Sequence, residues 1–178
     1  MPDGAHCCLV ELRRAVVEDA EAIRAIYNAE VTGSTVTFDI VARTLEDQVA
    51  WLEQRSGAYA VLVAVDDDGT VLGFGSLSPF RDRPAYSTTV EDSVYVGRPH
   101  RGRGVARALL EALVETATAH GFHAMIARIV GGHDASIALH ERLGFEQVGR
   151  EREVGRKMGR WLDVVVMERL LAEDGTGV

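Results

Sequence analysis

The sequence has 178 residues, a mass of 19.3 kDa and a formal net charge of -8, with 47% hydrophobic and 26% charged residues. These values fit one ordinary globular domain and exclude a disordered chain and a fibrous protein, and a chain of this length needs no disulfide or structural metal to hold its core together. The acidic balance argues against non-specific nucleic-acid binding. Two local basic clusters, at 98–107 and 150–160, instead favour a small anionic ligand.

Nothing in the sequence requires an oxidising compartment, because Cys7 and Cys8 are neighbours and make a poor structural cross-link. The longest apolar runs have the length of a strand and fall far short of the roughly 20 residues that cross a bilayer. Residues 1–8 have neither the basic start nor the apolar middle of a secretory signal. We therefore expect a cytoplasmic protein that has neither a membrane nor a nucleic acid as partner.

Hydrophobic periodicity and turn residues predict alternating strands and helices in the first half of the chain. Thr44 and Asp47 are spaced as a capping box, and the run from Asp66 to Gly69 is typical of a hairpin turn. In chain order the predicted elements are a strand over 9–14, a helix over 19–29, a loop over 30–43, a helix from Thr44, and strands over 59–65 and 70–77.

The sequence of the second half of the chain predicts a strand, then a loop rich in glycine and arginine, and then a helix. This helix has one apolar stripe, and the helix ends at Gly121. A polar connection over 78–86 precedes the predicted strand over 88–96, the loop over 98–104 and the helix from 105. Further elements are a strand over 123–130, a helix over 136–143 and strands over 145–149 and 161–170. The pattern indicates a single α+β domain over 9–171 with a mixed sheet of about seven strands. We expect residues 1–8 and 172–178 to be flexible termini.

The loop from Arg101 to Ala106 has the composition of a phosphate-binding turn, because glycines at a helix N-terminus expose main-chain N–H groups to an anion. A Walker A loop is excluded, since the single lysine, Lys157, lies in another context. A dinucleotide fingerprint is excluded as well, because Arg107 stands where its third glycine belongs.

The spacing Arg101-x-x-Gly104-x-Ala106 resembles the coenzyme A loop of the GCN5-related N-acetyltransferase (GNAT) superfamily. Three further runs are similar to motifs of this superfamily and of its phosphinothricin and methionine sulfoximine N-acetyltransferase branch: 89–96, 136–145 and 155–164. The resemblance implies a mostly antiparallel sheet flanked by four helices, acetyl-CoA as co-substrate, no metal and a homodimer. It also implies a set of cofactor-binding residues: Val94, Tyr95, Val96, Arg101, Gly102, Arg103, Gly104, Val105, Ala106, Arg107, His133 and Ser136.

Within this set, His133 departs from the superfamily pattern, which has asparagine there to contact the pantetheine arm. A histidine still donates a hydrogen bond. The resemblance also implies a strand bulge near Val94, where one main-chain N–H would polarise the thioester carbonyl.

The resemblance assigns catalytic roles to Glu91 and His140. A protonated amine has to lose a proton before it attacks a thioester, and Glu91 lies at the position of the proposed base. His140 lies where relatives carry a residue that returns a proton to sulfur or contacts the substrate, and its ordinary pKa suits a proton shuttle. The alternatives are a solvated carboxylate for Glu91 and a packed helix-face histidine for His140. Since no Cys or Ser stands in a nucleophile setting, we expect direct transfer.

The same comparison assigns substrate binding to Phe38, Arg81, Arg83 and Tyr86. Two guanidinium groups suit the carboxylate of an amino acid, although arginines in a loop are by default only solvated charges. The basic cluster at 150–160, together with Trp161, is expected to close over the substrate, to lie at a dimer contact or to face solvent.

The expected function is therefore acetyl transfer from acetyl-CoA to the amino group of a small amino-acid-like substrate. The alternatives are another amine, such as a protein N-terminus or a polyamine, and a non-catalytic coenzyme A-binding module. A nucleotide-binding oxidoreductase is a weaker third class. The scattered histidines lack the close pairs of a zinc site, so we expect no metal.

Overall fold

The computed structural model describes residues 10–171, which form one twisted sheet with helices on both faces. The predicted flexible termini, with Cys7 and Cys8, lie outside the described residues, as does Leu9. The strands are β1 (Glu11–Arg14), β2 (Val61–Val65), β3 (Val71–Pro79), β4 (Thr89–Val96), β5 (Ala124–Val130), β6 (Glu146–Lys157) and β7 (Arg160–Leu170). The helices are α1 (Ala20–Gly33), α2 (Leu45–Glu53), α3 (Val105–Ala119) and α4 (Asp134–Arg142), with short 3-10 turns at Val17–Asp19, Pro84–Tyr86 and Arg98–His100.

The sheet has seven strands in the order β1-β2-β3-β4-β5-β7-β6, and its β4–β5 pair is parallel while its other pairs are antiparallel. Helix α3 connects the two parallel strands, as such a crossover requires. This architecture confirms the predicted mixed α+β sheet, its strand count and its four helices.

Two cores lie on opposite faces of the sheet. The larger packs α3 against the sheet through Leu109, Leu110 and Leu113, which are fully buried. The smaller packs α1 and α2 around Ile23 and Phe74. Because side chains alternate along a strand, β4 contributes Val90 to the first core and Tyr95 to the second.

Two predicted boundaries differ from the structure by four residues or more, and several others differ by one or two. Helix α1 continues to Gly33 instead of ending at residue 29. Its last turn closes where the Ser34 N–H donates to the Glu30 carbonyl at 3.2 Å, and the buried Lys157 amine donates to the same carbonyl at 3.3 Å. Strand β6 does not stop at residue 149 but continues to Lys157 through two register shifts, so the basic cluster belongs to the β6–β7 hairpin. The capping box of Thr44 and Asp47 is confirmed.

Candidate active site

A cleft opens where β4 and β5 separate. The two strands pair only from Thr89 and Ala124 to Glu91 and Ile126. Beyond that point β4 stays on β3 and β5 stays on β7, which leaves a cleft of about 480 Å³. The predicted bulge in β4 was wrong, because its register with β3 is unbroken up to Val96. The separation alone leaves one edge of β4 without a strand partner.

The glycine- and arginine-rich loop closes one end of this cleft. Gly102 and Gly104 have φ angles of 75° and 82°, a left-handed conformation that favours glycine. The first main-chain bond of α3 runs from the N–H of Ala108 to the carbonyl of Gly104, at 3.0 Å. The amides just before Ala108 therefore have no acceptor within the helix, and they form an anion site at its N-terminus.

The predicted cofactor-binding residues come together around the cleft, although they derive from three separate segments. All of them except Arg103 line it. His133 lies at the N-terminus of α4, where burial, followed by the positive charge of Arg101, lowers its pKa and favours the neutral ring. The location of these side chains agrees with the prediction, and their roles in binding remain predictions.

A buried carboxylate on α1 holds the loop in place. Glu30 is 3% exposed and lines the cleft. Its Oε1 accepts hydrogen bonds from Arg98 Nε at 3.0 Å and Arg101 Nη2 at 2.8 Å. Arg101 Nε also donates to the Val96 carbonyl at 3.3 Å. The guanidinium of Arg101 is therefore a structural tie between α1 and the loop, and Glu30 is a site residue that the sequence did not indicate.

His140 is 4% exposed and lies at the cleft, where it contacts Asp92 of β4. Its Nε2 is 3.1 Å from Asp92 Oδ2, and its Nδ1 is 2.8 Å from the Ser136 carbonyl. Burial lowers the pKa of His140, but the hydrogen bond and charge of Asp92, with the Ser136 contact, outweigh burial and raise it overall. Asp92 was missed, although it directly follows the predicted base.

Glu91 lies on the opposite face of β4 from Asp92 and is half-buried. Burial is the main cause that raises its pKa above that of an ordinary glutamate, and the positive charge of Arg128 opposes the rise. Arg128 is on β5 just beyond the separation point and forms an ion pair with Glu151 of β6. Glu91 therefore faces a charged pair that the sequence did not single out.

The predicted substrate residues lie outside the cleft lining, at the exposed surface of the domain. Arg81 packs over the rings of Phe80 and Tyr86, with its guanidinium carbon 4.9 and 5.8 Å from their centres. The charge of Arg81 also acts on Glu91. Arg83 immediately precedes the turn that contains Tyr86.

Phe38 belongs to the segment after α1, which the β6–β7 hairpin anchors. Lys157 Nζ donates to the Thr37 carbonyl at 2.8 Å, and the Tyr27 hydroxyl contacts Thr37 Oγ1 at 3.0 Å. The ring of Phe38 lies so close to Gly155 that a Cβ there would be 2.4 Å from its nearest carbon. The position of Phe38 thus depends on a glycine more than a hundred residues away.

Residues 10–171 also bear on metal binding and on membrane insertion. No group of three or more His, Cys, Asp and Glu side chains in this part of the chain is arranged to hold a metal ion. None of the helices described there is long and apolar enough to cross a membrane.

Comparison with known proteins identifies the family to which this arrangement belongs. Residues 12–166 match the family described as the acetyltransferase (GNAT) domain. The chain belongs to the GNAT acetyltransferase family. A methionine sulfoximine/methionine sulfone acetyltransferase of Pseudomonas paraeruginosa is 44% identical over 158 residues, which are 88% of this chain and 92% of that protein.

Two solved structures share the fold of this GNAT protein. A phosphinothricin acetyltransferase of Sinorhizobium meliloti in complex with acetyl-CoA is 41% identical, with a TM-score of 0.88, over 91% of this chain and 88% of that one. A ribosomal-protein-alanine N-acetyltransferase of Brucella melitensis is 40% identical, with the same TM-score, over 90% of this chain and 99% of that one.

Proposed function

We propose that this GNAT protein transfers the acetyl group of acetyl-CoA directly to the α-amino group of a small amino-acid-like substrate of the methionine sulfoximine or phosphinothricin type. The observation that carries the proposal is the separation of β4 from β5 at Glu91. It opens a cleft between two strands, with the Glu91 carboxylate at the point of separation and a phosphate loop at one end of the cleft.

The residues around the cleft suit coenzyme A. The amides at the start of α3 provide hydrogen bonds for a diphosphate, and Arg107 adds positive charge beside them. The unpaired edge of β4 from Val94 to Val96 provides main-chain groups for the pantetheine arm, which carries amides of its own. When bound, acetyl-CoA supplies a thioester, whose acyl carbon is open to attack by an amine.

The chain's own residues then have three tasks. Glu91 takes a proton from the incoming ammonium group, directly or through water, and its raised pKa brings it closer to the neutral working range of a base. A main-chain N–H on the free edge of β4 polarises the thioester carbonyl. His140, on the cleft side, supplies the proton that the departing sulfur needs. Base and acid thus act from opposite sides of β4, Glu91 from the strand itself and His140 from α4.

Substrate selection is assigned to the exposed residues on the Glu91 side. Arg81 and Arg83 bind the carboxylate, because guanidinium groups form two parallel hydrogen bonds with it. Phe38 and Tyr86 contact the side chain. The positive charge of this loop disfavours a polyamine, since like charges repel.

A second candidate is acetylation of a protein N-terminus, which the similarity to the ribosomal-protein-alanine N-acetyltransferase of Brucella melitensis favours. A thiol-release assay separates the candidates. We expect release of free coenzyme A with methionine sulfoximine or phosphinothricin, and little with an N-terminal peptide or a polyamine. Release with the peptide alone would replace our substrate assignment. Acetyl-CoA binding without release with any amine would identify a non-catalytic module.

The variant Glu91→Gln tests the base. We expect kcat to fall by about 10²–10⁴-fold, the usual contribution of general acid–base catalysis, with little change in the acetyl-CoA dissociation constant. Equal turnover of the two proteins would remove Glu91 from the mechanism. Calorimetric titration of acetyl-CoA into both proteins provides the binding control.

We also propose that the enzyme acts in the cytoplasm as a homodimer, and that acetylation of toxic amino-acid analogues gives its host resistance to them. Exposed apolar side chains on the β6–β7 hairpin support the dimer: Val154, Met158 and Trp161 are each more than half exposed. Sedimentation velocity of the full chain and of Trp161→Glu tests the assembly. A monomeric wild-type protein would contradict it.

A further inference from the structure

Asp92 and His140 form a buried pair at the wall of the cleft. Their side chains are 2% and 5% exposed, and they come from β4 and α4, which are 48 residues apart in sequence. Both residues line the cleft. A carboxylate with so little exposure is stable only when it is paired, and His140 is the partner that it has.

The hydrogen bonds of this pair define where its protons lie. The Ser136 carbonyl accepts only, so His140 Nδ1 carries a hydrogen. The opposite nitrogen, Nε2, faces Asp92 Oδ2 at 3.1 Å, and two bare lone pairs at that distance would repel. One additional proton therefore lies between Nε2 and Oδ2, and an ionised Asp92 makes His140 an imidazolium.

The other groups around the ring do not provide a competing partner. The ring of Phe145 packs edge-on against His140, with the ring centres 5.0 Å apart, and adds no charge. His133, at the opposite end of α4, has its own pKa lowered in part by the charge of His140 and is not among the groups that shift the pKa of His140. Glu91 lies on the opposite face of β4, and Asp92 raises its pKa in turn. Asp92 Oδ1 is itself buried and has no hydrogen-bond partner within residues 10–171, so His140 is the side chain that pairs with this carboxylate there.

We propose that Asp92 is a positioning residue that orients His140 and keeps it doubly protonated, so that the pair protonates the coenzyme A thiolate as it leaves. In this step the hydrogen that lies between His140 Nε2 and Asp92 Oδ2 passes to a lone pair on sulfur and forms the S–H bond, the electrons of the Nε2–H bond remain on the imidazole, and Asp92 remains a carboxylate. The imidazole regains its proton from solvent. This inference rests on the proposed acetyl transfer, and it assigns a role to a residue that the transfer itself does not name.

The first test is a nuclear magnetic resonance titration of the wild-type protein, which needs neither activity nor a variant. We expect His140 to titrate above the ordinary histidine value of about 6.5 and His133 to titrate below it. Assignment comes from the loss of one signal in His140→Gln. A His140 midpoint at or below that of His133 would overturn the inference, whether or not the protein transfers acetyl groups.

The second test uses Asp92→Asn, which preserves shape and removes the charge. The imidazolium then loses its proton at lower pH, so the alkaline limb of kcat moves to lower pH, and kcat at pH 8 falls by about tenfold or more. The KM for acetyl-CoA stays within about twofold, since the loop is untouched. The matched control is Asp67→Asn in the exposed β2–β3 turn, for which we expect no change in the pH profile.

The outcomes separate the two proposals. An active wild-type enzyme whose pH profile is the same in Asp92→Asn would refute the role of Asp92 and leave the proposed function intact. A uniform loss of kcat at all pH values, with an unmoved His140 titration, would show a structural role only and would also refute it. Absence of any transfer by the wild type, with the expected His140 titration, would refute the proposed function instead.

Discussion

Glu30 is the residue through which α1 holds the phosphate loop, and Glu30→Gln isolates the contribution of its charge. The wild-type carboxylate accepts from two guanidinium groups through one oxygen, at 2.8 and 3.0 Å. Glutamine keeps the volume and one acceptor oxygen, but it carries no charge, and its amide group brings two donors into a place that already contains donors. We therefore expect the ties to Arg98 and Arg101 to loosen.

The size of the effect follows from the burial of the partners. Hydrogen bonds to charged groups contribute about 1.5–3 kcal/mol when they are desolvated, whereas exposed ion pairs contribute about 0–1 kcal/mol. The Glu30 side chain is 4% exposed, but those of Arg98 and Arg101 are each 51% exposed. Water is able to hydrate the two half-exposed arginines when their bonds to Glu30 weaken, but it does not reach the buried side chain at position 30. We therefore expect the free energy of unfolding to fall by about 1–2 kcal/mol.

Urea denaturation followed by circular dichroism measures this loss. The matched control is Glu111→Gln, because Glu111 and Arg107 form an exposed pair within α3, and its loss is expected to cost less than about 0.5 kcal/mol. A more mobile loop has to be ordered on binding, so we also expect Glu30→Gln to bind acetyl-CoA about 3- to 10-fold more weakly. Equal stability of the Glu30 and Glu111 variants, with unchanged acetyl-CoA affinity, would refute this account.

The dependence on pH provides a second check on Glu30. Burial raises the pKa of its carboxyl, but the surrounding hydrogen-bond donors and the two guanidinium charges outweigh burial and lower it overall. A lowered pKa contributes stability above the unfolded value of about 4.3, and this contribution is lost as the pH falls through the folded value. The stability difference between wild type and Glu30→Gln should therefore narrow below about pH 4.

Two further predictions concern residues away from the cleft. Gly155→Ala should displace the Phe38 ring, because the added Cβ would overlap it, and should reduce stability by about 1–3 kcal/mol. We expect a higher substrate KM at unchanged acetyl-CoA affinity. An unchanged substrate KM in steady-state kinetics would contradict this placement of Phe38. Asp19→Asn should cost about 1–3 kcal/mol in urea denaturation, because Asp19 accepts two bonds from Arg13 and one from the Val16 amide. Arg13 is the main cause that lowers the pKa of Asp19, so this cost should disappear in acid, and a cost that persists at low pH would argue against the ion pair.

The phosphate loop was predictable because local sequence determines it, whereas the other residues of the cleft were expected from the family resemblance. A glycine loop that enters a helix exposes its amides wherever it occurs, and Gly102 and Gly104 adopt the positive φ angles that such a turn requires. The alternation of β4 and the apolar stripe of α3 are also local. These local patterns predicted the strand, the loop and the helix that form one end of the cleft.

The long-range contacts that hold the site in place were not predictable from local sequence. Glu30 reaches Arg98 and Arg101 across about seventy positions of the chain, and Lys157 reaches Thr37 across 120. Nothing in the neighbouring sequence distinguishes such residues from ordinary charged ones, because their importance arises only when the sheet brings the two segments together. The length of β6 was missed for a related reason, since its pairing with β7 passes through two register shifts that interrupt the alternation of side chains.

The two adjacent acids of β4 lie on opposite faces of the strand and have different proposed roles. Successive side chains point to opposite sides, so Glu91 and Asp92 lie in different surroundings although they are neighbours in sequence. Glu91 is half-buried near Arg128, where it is able to exchange protons with an amine. Asp92 is buried and packs against His140. A shift of β4 by one position would exchange these surroundings and place the base on the coenzyme side. The unbroken register between β3 and β4 is therefore a requirement of the proposed chemistry as well as of the fold.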